Sequence, residues 1–364
     1  MRTLAALGIA AILAAAPISA ASAQEVMGSD SITGAGSTFA YPILSRWARG
    51  YQDFVAGRQG FAIAGSGLND APSRPALDYE PSGSLAGTMR VKDRAVDFGA
   101  SDVPMTSAEL EKLHLGQFPI VIGGVVAVVN VDGVQPGAIK FTGTTLADIF
   151  LGKVTKWNDP AIAGVNPDIK LPDAAIAVVH RSEGSGTTYN FAQYLTKASP
   201  EWQQRMGANT LLDWPVGAAV RGNDGVANAV KDTANSIGYV EYAQAVKSGL
   251  SYAQVQNAAG LFISPGASSF QAAAASADWA GAGDFALLLT EAGGTDAYPI
   301  AATVFVLMHK ETDAPDRTRH AIRFFEWALE QGAADASKLG YVPLPASLVE
   351  QIKGYWTASF GEHS

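Results

Sequence analysis

Three stretches of the chain set glycines and hydroxyls directly ahead of an amphipathic pattern: Thr33-Gly-Ala-Gly-Ser-Thr38-Phe39, Ser82-Gly-Ser84-Leu-Ala-Gly87 and Arg181-Ser-Glu-Gly184-Ser185-Gly186-Thr187-Thr188. The first N–H groups of a helix have no intrahelical partner and carry the positive end of its dipole, so a helix that starts at such a stretch attracts an anion. Glycines let the backbone come close, and hydroxyls add donors. Ser and Thr are also ordinary helix caps, and one such stretch alone would carry little weight. Three in one chain, one with Arg181 four residues before Ser185, point to a shared anion site. The planar fork of an arginine suits two oxygens of a tetrahedral oxyanion.

Asp102, closing the stretch Ala95-Val-Asp-Phe-Gly-Ala-Ser-Asp102, brings the opposite chemistry. An ionised carboxylate aimed into an anion site repels a ligand that has no proton and accepts a hydrogen bond from one that does. Phosphate keeps a proton near neutral pH and sulfate does not, so the combination would select phosphate. The plain alternative is local use of Asp102 in a turn or cap.

Composition limits what else the chain can be. It has 364 residues, 48% hydrophobic and 16% charged, too apolar for a disordered chain and long enough for about two domains. Its formal net charge is −9, without a run of like charge. Nucleic-acid backbones require clustered cations, so nucleic acid is not expected as a partner. The absence of cysteine rules out disulfides, cysteine-ligated metals and a lipid anchor on a lipobox cysteine. With no positive overall field, affinity for a dianion must come from local donors in a closed, dry site.

The elements that would position these groups read as α/β layers. Strands are expected over Ala95-Val-Asp-Phe-Gly, Phe118 to Val131, Ile176 to His180, Ser236 to Val240 and Tyr298 to Met308. Helical spacing joins Ile43, Leu44, Trp47, Tyr51 and Phe54, and again Ile322, Phe325, Trp327 and Leu329 before Gly332. The runs Phe118-Pro-Ile and Tyr298-Pro-Ile open alike and continue as long apolar strands, as a pair of crossover strands linking two lobes would. Residues 56–81 read as a loop. At the N-terminus, Arg2, an apolar run from Leu4 to Ala16 and Ala21-Ser22-Ala23 predict a cleaved export signal over residues 1–23.

An exported phosphatase or serine hydrolase is the rival of another class. Glu183 and Thr187 stand where a G-x-S-x-G elbow needs its outer glycines, and Phe39 stands where a dinucleotide fingerprint ends in glycine. The five histidines, His114, His180, His309, His320 and His363, show no metal-binding spacing. His180 beside Arg181 could serve as a general base only if both faced one side of a strand. A binder of sulfate or molybdate is the second rival.

At these same residues the sequence resembles the periplasmic phosphate-binding proteins of high-affinity phosphate ABC transporters. The matching stretches are Ile32 to Phe39, Val96 to Asp102, Phe118 to Val125, Ile149 to Trp157, Ala177 to Thr187, Gly222-Asn-Asp-Gly225, Ile237 to Tyr242 and Phe324-Phe-Glu-Trp327. The resemblance implies a type II periplasmic binding protein fold: two α/β lobes, each a mixed sheet flanked by helices, joined by two hinge strands. The first lobe would comprise 24–123 and 298–364 and the second 124–297. It implies a monomeric binding protein rather than an enzyme, without cofactor or metal, that closes on inorganic phosphate in the periplasm and delivers it to a membrane-embedded permease. Carried over by motif, Thr38, Phe39 (through its backbone N–H), Ser84 and Asp102 would bind from one lobe, and Arg181, Ser185, Gly186 and Thr187 from the other. This chain departs from the family pattern in three places. Leu85 and Ala86 follow Ser84 where Ser and Gly are common, Glu183 replaces an Asp that holds the arginine, and the 56–81 segment is longer.

Overall fold

The computed structural model describes residues 31–62 and 77–361; the expected export signal lies outside them. In chain order the strands are β1 (Ile32–Gly36), β2 (Leu77–Glu80), β3 (Phe98–Ser101), β4 (Leu115–Asn130), β5 (Lys140–Phe141), β6 (Ala177–Arg181), β7 (Ala218–Val220), β8 (Ser236–Glu241), β9 (Ser251–Tyr252), β10 (Gln254–Gln256), β11 (Phe262–Ile263) and β12 (Ala301–His309). The helices are α1 (Tyr41–Ala62), α2 (Ser84–Lys92), α3 (Ser107–Leu113), α4 (Gly143–Phe150), α5 (Pro160–Ala163), α6 (Gly186–Ala198) and α7 (Pro200–Arg205). They continue with α8 (Gly222–Asp232), α9 (Tyr242–Ser248), α10 (Ala267–Ala275), α11 (Pro315–Gln331), α12 (Ala333–Lys338) and α13 (Ala346–Phe360).

One mixed sheet carries nine strands in the order β2-β1-β3-β12-β4-β8-β6-β7, with β9 alongside β4. β4 is its axis. Its first part pairs antiparallel with β12, down to Gly124 against Ala301, and its remainder from Val125 to Asn130 pairs antiparallel with β8. All but the last of its sixteen residues are buried, as expected of an uninterrupted apolar run in the middle of a sheet covered on both faces. Pro119 has no N–H to give the ladder, and the register with β12 shifts where Phe305 meets it. Among the described residues β12 pairs with β3 and with residues 115–124 of β4 and with no other strand. The two similar runs are thus antiparallel neighbours, of which β4 alone forms ladders in both parts of the sheet.

Helices cover the sheet along the predicted apolar stripes. Tyr51 of α1 meets Phe324 of α11 edge-on at 5.5 Å, and Phe118 of β4 packs against Phe325 at 5.5 Å and Trp356 of α13 at 5.1 Å. Beyond Val125, Phe191 of α6 stacks on Tyr239 at 4.5 Å and meets Phe150 of α4 at 4.9 Å. Such aromatic pairs add to the burial that already favours these contacts. The reading of 56–81 as loop needs correction at both ends, because α1 continues to Ala62 and 77–80 form β2. Paired in parallel with β1, residues 77–80 gain strand structure from a partner distant in sequence, which local pattern does not reveal.

Candidate oxyanion-binding site

Each of the three glycine-hydroxyl stretches does lie at a helix start. β1 ends at Gly36 and a short turn through Thr38 and Phe39 leads into α1; Gly83, at φ 97°, turns the chain into α2 at Ser84; and Ser185 caps α6, its Oγ accepting from the Thr188 N–H at 3.2 Å. A fourth start, Gly222-Asn223 at α8, joins them. Their convergence is visible at Gly186, where a β-carbon would collide with Ser84 Oγ and stand 2.6 Å from Asp102 Oδ2. Segments from the two parts of the sheet also hydrogen-bond directly: Leu85 N–H donates to Gly184 O at 3.2 Å, and Asn190 Nδ2 donates to Asp102 O at 2.8 Å.

Asp102 follows β3 and is buried. Ser37 Oγ donates to its Oδ1 through a short hydrogen bond, Ser84 Oγ donates to Oδ2 at 3.3 Å, and the Asp102 N–H donates to Ser84 Oγ at 3.2 Å. Burial pushes its carboxyl up to about 6, against the lowering effect of Ser37, the Arg181 charge and Ser84. The acid therefore carries its charge at neutral pH and loses it under mildly acidic conditions.

Arg181 ends β6 and is 2% exposed. Nε donates to Glu183 Oε1 at 3.0 Å, Nη2 donates to the same oxygen, and Nη1 donates to Asn223 Oδ1 at 2.9 Å. Glu183 Oε1 also accepts the Gly222 N–H at 3.1 Å. Burial works to raise the Glu183 carboxyl, but the Arg181 hydrogen bonds and charge, with the backbone donors, hold it below its ordinary value. The extra methylene relative to aspartate thus does not prevent the acid from gripping the guanidinium. Of the five guanidinium N–H donors, three are used in this grip, which leaves two to address an anion.

Two hydroxyls complete the set. Thr38 Oγ1 and Thr187 Oγ1 are buried and have no hydrogen-bond partner in the protein, and the same holds for Asn223 Nδ2. A buried polar atom left unpaired costs about 1–3 kcal/mol, so Thr38 Oγ1, next to the Ser37 that holds Asp102, and Thr187 Oγ1, next to Gly186, call for an explanation. The Phe39 ring faces the core, 5.9 Å from Tyr341, whose hydroxyl donates to Phe39 O at 2.7 Å. Only the Phe39 backbone is therefore free to serve a ligand.

Residue spacing missed Ser37, which adjoins Thr38 and holds Asp102, and Asn223, which holds Arg181; the glycine ahead of Asn223 at a helix start was the available signal. It also missed Glu241, buried at the end of β8, whose carboxylate accepts the Ala243 and Gln244 N–H groups at 2.5 and 3.1 Å and caps α9. Burial raises its carboxyl to about 8, with the Asp102 charge adding to the rise. The His180 ring stacks on Trp214 at 5.0 Å with Nδ1 3.1 Å from Arg181 O, and burial lowers its pKa. Among the described residues no cluster of His, Cys, Asp and Glu could hold a metal, and no helix is long and apolar enough to cross a membrane.

A family model described as a PBP superfamily domain matches residues 20–331. The chain is 47% identical over 329 residues to the phosphate-binding protein PstS of Xylella fastidiosa (strain Temecula1), covering 90% of this chain and 85% of that one. It is 42% identical to PstS of Haemophilus influenzae, covering 90% and 92%. Among solved structures, the phosphate-binding protein of Stenotrophomonas maltophilia superposes with a TM-score of 0.64 at 19% identity, over 89% of this chain and 93% of that one, which supports the fold. On the extent of the family match and the identity shared over nine-tenths of its length, this chain belongs to the PBP superfamily and, within it, to the PstS phosphate-binding proteins.

Proposed function

We propose that this chain captures inorganic phosphate, without transforming it, between two lobes that close on it, and passes it to a membrane-embedded ABC permease. The observation that carries this reading is the pair of buried, unpartnered hydroxyls of Thr38 and Thr187 beside a buried Arg181 and a buried Asp102. Donors from four helix starts, half a guanidinium and one carboxylate acceptor form the complement of a tetrahedral oxyanion that keeps a proton. In this reading Thr38, the Phe39 N–H, Ser84 and Asp102 belong to one lobe (24–123 and 298–364), and Arg181, Ser185, Gly186 and Thr187 to the other (124–297). β4, whose pairing changes partner between Gly124 and Val125, supports that division. The family supports a periplasmic location after removal of an export signal. In this reading the chain acts as a monomer.

Calorimetry with phosphate and sulfate between pH 5 and 8 tests the reading. At pH 8 phosphate binds and sulfate does not. Below about pH 6, where Asp102 takes up a proton, its carboxyl can donate to a fully ionised anion and the preference narrows. Asp102→Asn shows the narrowed preference at every pH. Equal binding of the two anions at pH 8 by the parent chain would overturn the role of Asp102, and no phosphate binding would overturn the function.

A further inference from the structure

Thr38 and Asn223 of the anion site also line a cavity of about 590 Å³. That volume is many times what one tetrahedral oxyanion fills, and its remaining walls have a distinct chemistry. Arg46 and Arg49 face it from α1, Arg221 from the cap of α8 and Lys247 from α9. All four are exposed, so none is a buried ligand-binding group. Arg46 is paired with Asp335 at 3.1 Å. Among the described residues no ion pair engages Arg49, Arg221 or Lys247, and Asp224 is the one carboxylate in the lining.

Four cations around one opening are not background in a chain whose formal net charge is −9. In the division proposed above they belong to different lobes, Arg46 and Arg49 to the first on the helix that leads from the Thr38 turn, Arg221 at the start of α8 and Lys247 on α9 to the second. A concavity lined by one sign of charge, with walls of low dielectric, focuses the field and concentrates the oppositely charged solute at its mouth. Exposed cations add little to the affinity of a ligand held by buried donors, because water and salt screen them; their effect is on arrival.

We propose that Arg49, Arg221 and Lys247 form an electrostatic entry funnel that raises the rate at which phosphate reaches the buried site without holding it there. The proposal rests on the phosphate reading above. Placement on both sides keeps the attracting field in place while the halves separate to admit the anion.

Stopped-flow mixing of the purified chain with inorganic phosphate, followed by the fluorescence of its seven tryptophans, separates arrival from departure. In Arg49→Gln/Arg221→Gln/Lys247→Gln the association rate constant falls about three- to tenfold at low salt, and the difference closes near 0.5 M salt, where the Debye length is only a few ångströms. The dissociation rate constant stays within about twofold, since rim charges act mainly on association. Asp224→Asn, of opposite sign, speeds association. An association rate that ignores both substitutions and salt, or a loss that appears in dissociation instead, overturns the funnel while the phosphate reading stands. A parent chain that does not bind phosphate overturns both.

Discussion

The Thr38 and Thr187 hydroxyls are the residues on which an anion can be distinguished from a water-filled gap. Each is buried and each lacks a protein partner, so each has a donor to spare in a place where water is scarce. Thr38→Val and Thr187→Val keep the shape of the side chain and remove the donor. Each change should weaken phosphate binding by about 1–3 kcal/mol, the cost of leaving a buried charged group one partner short, while thermal unfolding of the phosphate-free chain stays close to the parent. Calorimetric titration of the two variants checks this, and an unchanged affinity removes the residue from the site. Glu183 acts one step back, since its contact is with the guanidinium of Arg181, whereas Asn223 holds that guanidinium through Oδ1 and keeps Nδ2 unpaired.

Helix starts are the elements that gather these groups, and α6 shows how closely they fit. Gly186 opens the helix, and any side chain there would occupy the space of Ser84 Oγ and Asp102 Oδ2. Gly186→Ala should leave each half folded but keep Ser84 and Asp102 from closing against α6, with a loss of roughly 1–3 kcal/mol in phosphate affinity, typical of forcing one extra carbon into a packed place. Titration alongside a thermal melt separates the loss of closure from loss of fold. These starts were legible in the sequence because glycine and hydroxyl residues ahead of an apolar period announce a helix N-terminus locally. α1, β4, β6 and β8 were legible for the same reason, their periods being strong and uninterrupted. Ser37 and Glu241 were not, because their roles depend on Asp102 lying 65 residues from Ser37 in sequence and on the burial of a carboxylate that local pattern presents as an ordinary polar residue. The pairing of β2 with β1 escaped notice for a comparable reason: four residues of alternating burial have no local signature that separates them from a loop.

At the scale of the whole molecule, the two buried acids bear on stability. A carboxyl whose folded pKa lies above its unfolded one holds its proton more tightly in the folded chain, so that advantage is complete below the unfolded value and is lost as pH rises to the folded one. For Asp102 the window runs from its ordinary 3.8 to about 6, and for Glu241 from 4.5 to about 8. Urea unfolding of the phosphate-free chain across these pH values should show stability falling toward neutral pH, at no more than about 1.4 kcal/mol per unit for each group. Asp102→Asn removes the part of the fall that ends near pH 6 and leaves the part that belongs to Glu241. A flat profile in the parent chain would mean that neither acid is charged at a cost.

The position of Asp102 sets fidelity against endurance. A charge kept where the medium opposes it leaves the waiting clasp under a tension that a guest bearing its own hydrogen relieves. A replacement at that spot that lets the vacant molecule last longer also makes it a poorer judge of what it picks up.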